Sequence, residues 1–181
     1  WVLNGAKHFI SDGEVSDFFV VSAVTDPGKG ARGISLFLVD RGLPGLTVGA
    51  VCVYHEMVET AVRALEGSNI PVAAVSTGFP AGLSPYHLRL AEIGESVKAG
   101  AKEIDIVISR RHVLTQNWQA LYDEMAEMRA ACGEAHVKAI LATGELGTLR
   151  NVARASLVCM MAGADFIKTS KDIVAKFSDS K

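Results

Sequence analysis

The hydrophobic pattern of this chain changes its period near residue 50. Before that point, short apolar runs are separated by turn residues. Residues 18–24 and 34–39 read as strands, and Asn4-Gly5, Asp26-Pro27-Gly28 and Pro44-Gly45 read as turns. A further run, Lys7-His8-Phe9-Ile10, follows the first turn. The pattern predicts a meander of antiparallel strands over residues 1–50.

From residue 51 onward, short apolar strands alternate with helical periodicity. The strand candidates are 51–54, 70–75, 103–108, 136–142 and 165–169. Between them, apolar residues recur at helical spacing. Met57, Val58, Ala61, Val62 and Leu65 share one face, as do Leu90, Ile93 and Val97. Trp118, Leu121, Tyr122 and Met125 form a third set, and Leu149, Val152, Ala153, Leu157 and Met160 a fourth. Each set is followed by a glycine (67, 100, 133 or 163), the residue that fits a left-handed helix end. Strand-helix alternation of this kind calls for a parallel sheet with right-handed crossovers.

Strands covered on both faces should be almost wholly apolar. Three polar residues break that rule. Asp105 lies between Ile104 and Ile106, Lys138 between Val137 and Ala139, and Lys168 directly after Ile167. Alternation turns all three away from their apolar neighbours. If the sheet curls, the apolar face meets the helices and the three polar side chains point inward. A desolvated lysine can lose its proton and attack a carbonyl to form a Schiff base. From the residues alone, other pairings stay open: Asp105 with Arg110, Lys138 with Asp105 or Glu145, and Lys168 reaching out to water.

Composition narrows the partners. The 181 residues carry a formal net charge of −2 without a basic block, which argues against nucleic acid or an anionic membrane as a ligand. Cys52, Cys132 and Cys159 are odd in number and far apart, so reduced thiols in a cytoplasmic setting are expected. His112 and His136 have no ligand-spaced partners, and no metal is expected. No apolar run reaches membrane-spanning length. The chain starts at Trp1, which reads as a piece or a composite.

The segments Val-Cys-Val-Tyr (51–54), Ile-Pro-Val-Ala (70–73), Gly-Phe-Pro-Ala-Gly (78–82) and Glu-Ile-Asp-Ile-Val-Ile (103–108) form one ordered series. It continues with Ala-Cys-Gly-Glu-Ala-His (131–136), Ile-Leu-Ala-Thr-Gly-Glu-Leu (140–146) and Gly-Ala-Asp-Phe-Ile-Lys-Thr-Ser (163–170). This series resembles the deoxyribose-phosphate aldolase family. The resemblance implies an incomplete (β/α)₈ TIM-barrel fragment of about five βα units, strands 2 to 6 of the barrel. It also implies a class I aldolase that reversibly cleaves 2-deoxyribose 5-phosphate to acetaldehyde and glyceraldehyde 3-phosphate, with no cofactor. By position, Lys168 resembles the Schiff-base lysine, Asp105 the proton-handling aspartate, and Lys138 a second pocket lysine. Cys52, Thr143, Thr169 and Ser170 fall at substrate-binding positions. The family motif continues Thr-Ser-Thr-Gly-Lys, whereas this chain reads Thr169-Ser170-Lys171-Asp172, without the glycine of the phosphate cradle.

Residues 1–50 resemble a different family, the middle β-domain of acyl-CoA dehydrogenases. Trp-Val-Leu-Asn-Gly-Ala-Lys-His-Phe-Ile-Ser (1–11), Gly-Ile-Ser-Leu-Phe-Leu-Val-Asp (33–40) and Pro-Gly-Leu-Thr-Val-Gly (44–49) carry that likeness. It implies FAD contacts at Phe9 and Ser11, although Phe9 as plain core is the simpler reading of the residue. The expected organisation is therefore 1–50, 51–170 and a tail over 171–181. Three functions are in view: an aldolase impaired by truncation, a non-catalytic composite that self-associates through open sheet edges, and a flavin-dependent dehydrogenase remnant.

Overall fold

Two sheets of opposite character organise the chain. A computed structural model describes residues 2–5, 16–46 and 49–168. The chain divides into two units, 1–49 and 50–181.

In the first unit, β1 (Phe18–Val24) pairs antiparallel with β2 (Ile34–Asp40), from Phe18 opposite Asp40 to Val24 opposite Ile34. The expected Asp-Pro-Gly turn opens a 3₁₀ segment, Pro27–Gly33. The Asp26 carboxylate accepts from the Gly28 amide at 3.1 Å, and Pro27 occupies a position where a missing N–H costs nothing. The expected strand around Lys7–Ile10 lies outside the described residues.

In the second unit, five parallel strands stand in sequence order. They are β3 (Val51–Tyr54), β4 (Val72–Ser76), β5 (Glu103–Val107), β6 (His136–Ile140) and β7 (Phe166–Lys168). The helices between them are α1 (Val58–Ala64), α2 (Tyr86–Lys98), the short α3 (Arg110–Leu114), α4 (Trp118–Ala131) and α5 (Leu149–Met161). The sequence pattern did not reveal α3, because five residues are too few to display a helical period. Asn117 and Thr148 cap α4 and α5, accepting from the amides of Ala120 and Asn151.

Alternation sorts the strand residues between two faces. Val72, Ala74, Ile104, Ile106, Val137 and Ala139 face the helices and form the core with Ile93, Val113, Leu121, Met125, Met128 and Cys159. The opposite face carries Cys52, Ala73, Val75, Glu103, Asp105, Val107, Lys138 and Lys168. At the carboxyl ends of the strands, Gly82 has φ +67°, and a Cβ there would meet Val107 Cγ1 at 2.8 Å. Only glycine satisfies both conditions.

One helical face differs from expectation. In α5 the buried residues are Ala155 and Cys159, while Leu149, Leu157 and Met160 are exposed. Small side chains let α5 approach β7 and α4 closely, so the helix turns its small face inward. Of its larger apolar residues, Val152 and Val158 pack against the core, whereas Leu149, Leu157 and Met160 stay exposed.

Candidate active site

The inward face of β5, β6 and β7 brings four charges together. Register places Asp105 beside Lys138 on the neighbouring strand, and Lys168 beside Ile140, one pleat further along that face. Lys168 Nζ donates to Asp105 Oδ2 at 2.6 Å. Lys138 Nζ lies 3.3 Å from Asp105 Oδ1 and donates to Glu103 Oε2. Asp105 is fully buried, and Lys138 and Lys168 are nearly so. Two ammonium groups and two carboxylates balance, which makes a buried ionic cluster tenable.

Three of the sequence-derived positions thus meet as expected, and Cys52 joins them. Its thiol donates to Asp105 Oδ2 at 3.2 Å and lies 4.0 Å from Lys168 Nζ. Cys52 is exposed as a residue, but its sulfur sits within the charged cluster. Desolvation first, then the Asp105 charge, push the thiol up to about 12. It therefore stands as a neutral donor and not as a nucleophile. Burial alone would pull Lys138 down, but the Asp105 and Glu103 carboxylates outweigh it and hold the ammonium above its ordinary value.

Asp105 Oδ1 is the unusual atom. It is buried and receives no hydrogen bond among the described residues, because Lys138 approaches it off the line of a good one. A carboxylate with one oxygen tied to a lysine and the other open to a donor can accept and pass on a proton. Beside it, a buried primary amine is placed to attack a carbonyl. The arrangement suits imine chemistry coupled to proton transfer.

Glu103 is the member that sequence reasoning missed. Its signal was available: it lies two residues before Asp105, hence on the same face of the same strand. Of the alternative pairings, Lys138 with Asp105 is formed, whereas Asp105 with Arg110 and Lys138 with Glu145 are not formed among the described residues. Arg110 pairs instead with Glu145 at 2.9 Å and donates to the Ala81 carbonyl. Thr143 is half-buried at the start of the turn Thr143–Glu145, past the carboxyl end of β6. Among the described residues it makes no hydrogen bond to the cluster. Thr169, Ser170, Phe9 and Ser11 lie outside the described residues, and no group of side chains suited to a metal occurs among those described.

Comparison with known proteins bears on this geometry. Residues 38–179 match the model of the DeoC/LacD family aldolases. The chain belongs to that family. Residues 1–65 also match the acyl-CoA dehydrogenase middle domain, so the second family likeness is borne out as well. The chain is 62% identical to the deoxyribose-phosphate aldolase of Mus musculus and 61% identical to that of Homo sapiens, in each case over 128 residues. Those matches cover 70% of this chain and 40% of each relative, so the chain spans less than half the length of these aldolases. Among solved structures, a putative deoxyribose-phosphate aldolase from Coccidioides immitis superposes with a TM-score of 0.64 at 29% identity. That match covers 67% of this chain and 47% of the other. An aldolase named QR15 gives 0.62 at 32% identity, over 67% and 53%. The α/β architecture and its likeness to part of a barrel aldolase follow from these matches. Among the described residues, no helix is long and apolar enough to cross a membrane.

Proposed function

We propose that this chain carries the Schiff-base site of a deoxyribose-phosphate aldolase, with Lys168 as nucleophile. The observation that carries the reading is the buried Lys168 amine held 2.6 Å from Asp105, with Lys138 on the other side of the same carboxylate. In the reaction, the Lys168 ammonium first passes a proton to Asp105. The neutral amine so formed adds to an aldehyde carbonyl, forming a carbon–nitrogen bond, and water leaves as Asp105 returns the proton, giving the protonated imine. Asp105, directly or through water, takes a proton from the carbon beside the imine. The resulting enamine attacks the second aldehyde, and water then releases the product from Lys168. Lys138 stays charged and holds Asp105 in place. The substrates on this reading are acetaldehyde and glyceraldehyde 3-phosphate, or 2-deoxyribose 5-phosphate in reverse, and the chemistry needs no metal or organic cofactor. Thr143, Thr169 and Ser170 are proposed on the substrate side and Cys52 beside the imine carbon.

Borohydride reduction in the presence of acetaldehyde tests the reading. The expected result is a reduced adduct on Lys168, absent from Lys168→Ala. An unmodified Lys168, or an adduct that survives that substitution, rejects the site.

A second reading, association of the chain with copies of itself, is favoured by a separate observation. Phe18, Val20, Val24, Ile34, Leu36 and Leu38 lie on one face of the β1–β2 hairpin and all are exposed. A contiguous exposed apolar face of this kind promotes association. It predicts concentration-dependent oligomers in sedimentation velocity, and a monomer at all concentrations would dismiss it. The flavin reading rests on Phe9 and Ser11 and gains nothing from the described residues.

A further inference from the structure

A second buried polar assembly sits behind the charged cluster, at the carboxyl ends of β4 and β5. Arg89, from α2, is only 3% exposed. Its Nε donates to the Thr77 carbonyl at 3.2 Å and its Nη2 to the Val107 carbonyl at 2.6 Å. Its Nη1 donates to Ser109 Oγ at 2.7 Å and to Glu124 Oε2 at 3.3 Å. Glu124, from α4, in turn accepts from the Ser109 amide at 2.9 Å and hydroxyl at 2.6 Å. His112 lies 3.7 Å from the same carboxylate.

Thr77 completes the assembly. The regular pairing of β4 with β5 ends at Ser76 opposite Ile106. One residue further, the Thr77 hydroxyl replaces the ladder, accepting from the Val107 amide at 2.7 Å and lying 3.1 Å from the Val107 carbonyl. Thr77 has φ +62°, a conformation costly for a β-branched residue and kept only where surroundings enforce it. Both peptide groups of Val107 are therefore fixed by side chains, its N–H by Thr77 and its C=O by Arg89. Val107 is two residues past Asp105 on the same inward face.

We propose that Arg89 and Thr77 form a clamp that positions Asp105 against Lys168, making them positioning residues of the site. The clamp acts through β5: it fixes how far the strand advances and so where the Asp105 carboxylate lies. Neither residue touches the reacting atoms. The proposal rests on the aldolase reading for its catalytic consequence, but not for its structural one.

The test uses Arg89→Met, Thr77→Val and Thr77→Ser in the full chain, with Asp105→Asn as reference. The first measurement is the carbon-13 resonance of the Asp105 carboxylate in aspartate-labelled protein. It is expected to shift in Arg89→Met and Thr77→Val and to return toward its original position in Thr77→Ser, which keeps the hydroxyl. The second is the rate constant of borohydride trapping at Lys168 across pH, normalised to folded protein. A drop on the order of tenfold to a hundredfold is expected for the two disruptive variants, the scale of a small misplacement of a reacting group. Their pH profiles should move toward that of Asp105→Asn, and combining either with Asp105→Asn should cost little more. An unchanged Asp105 resonance, or an unchanged rate constant and pH profile with only a smaller folded fraction, overturns the clamp. If Arg89→Met does not fold, the Thr77 pair decides alone. If the unaltered chain traps no aldehyde, the aldolase reading fails while the resonance still judges the clamp.

Discussion

The hairpin and the parallel sheet are built from similarly apolar strands, yet they bury them differently. In β1, Phe-Phe-Val-Val-Ser-Ala-Val alternates between exposed and half-buried positions, and Val20 and its β2 partner Leu38 remain 64% and 72% exposed. In β4, Val-Ala-Ala-Val-Ser is buried at every position. The difference lies in the connections. An antiparallel pair joined by the short connection 25–33, with a 3₁₀ segment, brings no crossover α-helix with it. Each parallel strand must return by a crossover, and the crossover helix covers the sheet. Apolar content makes a strand buriable, whereas topology supplies what buries it.

The functional contrast is sharpest at Lys168. Its replacement by alanine should abolish imine trapping altogether, and Asp105→Asn should lower the trapping rate on the order of a hundredfold or more. Mass spectrometry of the reduced adduct reads both. Substitution of Lys29 in the hairpin, exposed and, among the described residues, ion-paired with its near neighbour Asp26, should leave trapping unchanged.

Stability separates the two units next. Ile106→Ala, at a fully buried position, should cost about 2–5 kcal/mol in denaturant melting of the parallel sheet. Leu36→Ser and Leu38→Ser on the hairpin face should each change stability by no more than about 0.5 kcal/mol. The same two substitutions should reduce self-association in sedimentation. A large loss of stability from them would mean that the face is covered.

Alkaline pH should also act on one unit only, since all three cysteines fall after residue 50. Burial pushes Cys132 and Cys159 up to about 12, as burial and then Asp105 do for Cys52. An unfolded thiol releases its proton near 9.0. Between about 9 and 12 the folded unit therefore binds more protons than the unfolded one, and stability falls as pH rises through that window. Lys138, held above its ordinary 10.5, contributes stability fully below that pH and loses it as pH rises through its folded value. Melting temperature against pH, followed by a probe in the parallel sheet, should decline above about 9.

Within the charged cluster, the smallest expected effect is at Cys52. Its neutral thiol donates one hydrogen bond to a carboxylate already bound by Lys168, so Cys52→Ala should lower trapping only a few-fold. A complete loss would promote it to a catalytic role.

Strand positions, helix positions and the inward direction of Asp105, Lys138 and Lys168 were legible in the sequence, because periods of 2.0 and 3.6 are local properties of the backbone. Glu103 and Arg89 had weaker signals. Glu103 shared a strand face with Asp105, and Arg89 lay four residues before Ile93 on the buried face of α2. Neither could be given a partner, because Lys138 and Glu124 each lie about 35 residues away. The buried face of α5 was misjudged for the same reason: the sequence showed an apolar stripe but not which side met small residues. Local spacing determined the elements and the direction each side chain takes from them. Only tertiary structure decided which charges meet, since the strand register that sets Lys168 against Asp105 depends on how separate segments pack together.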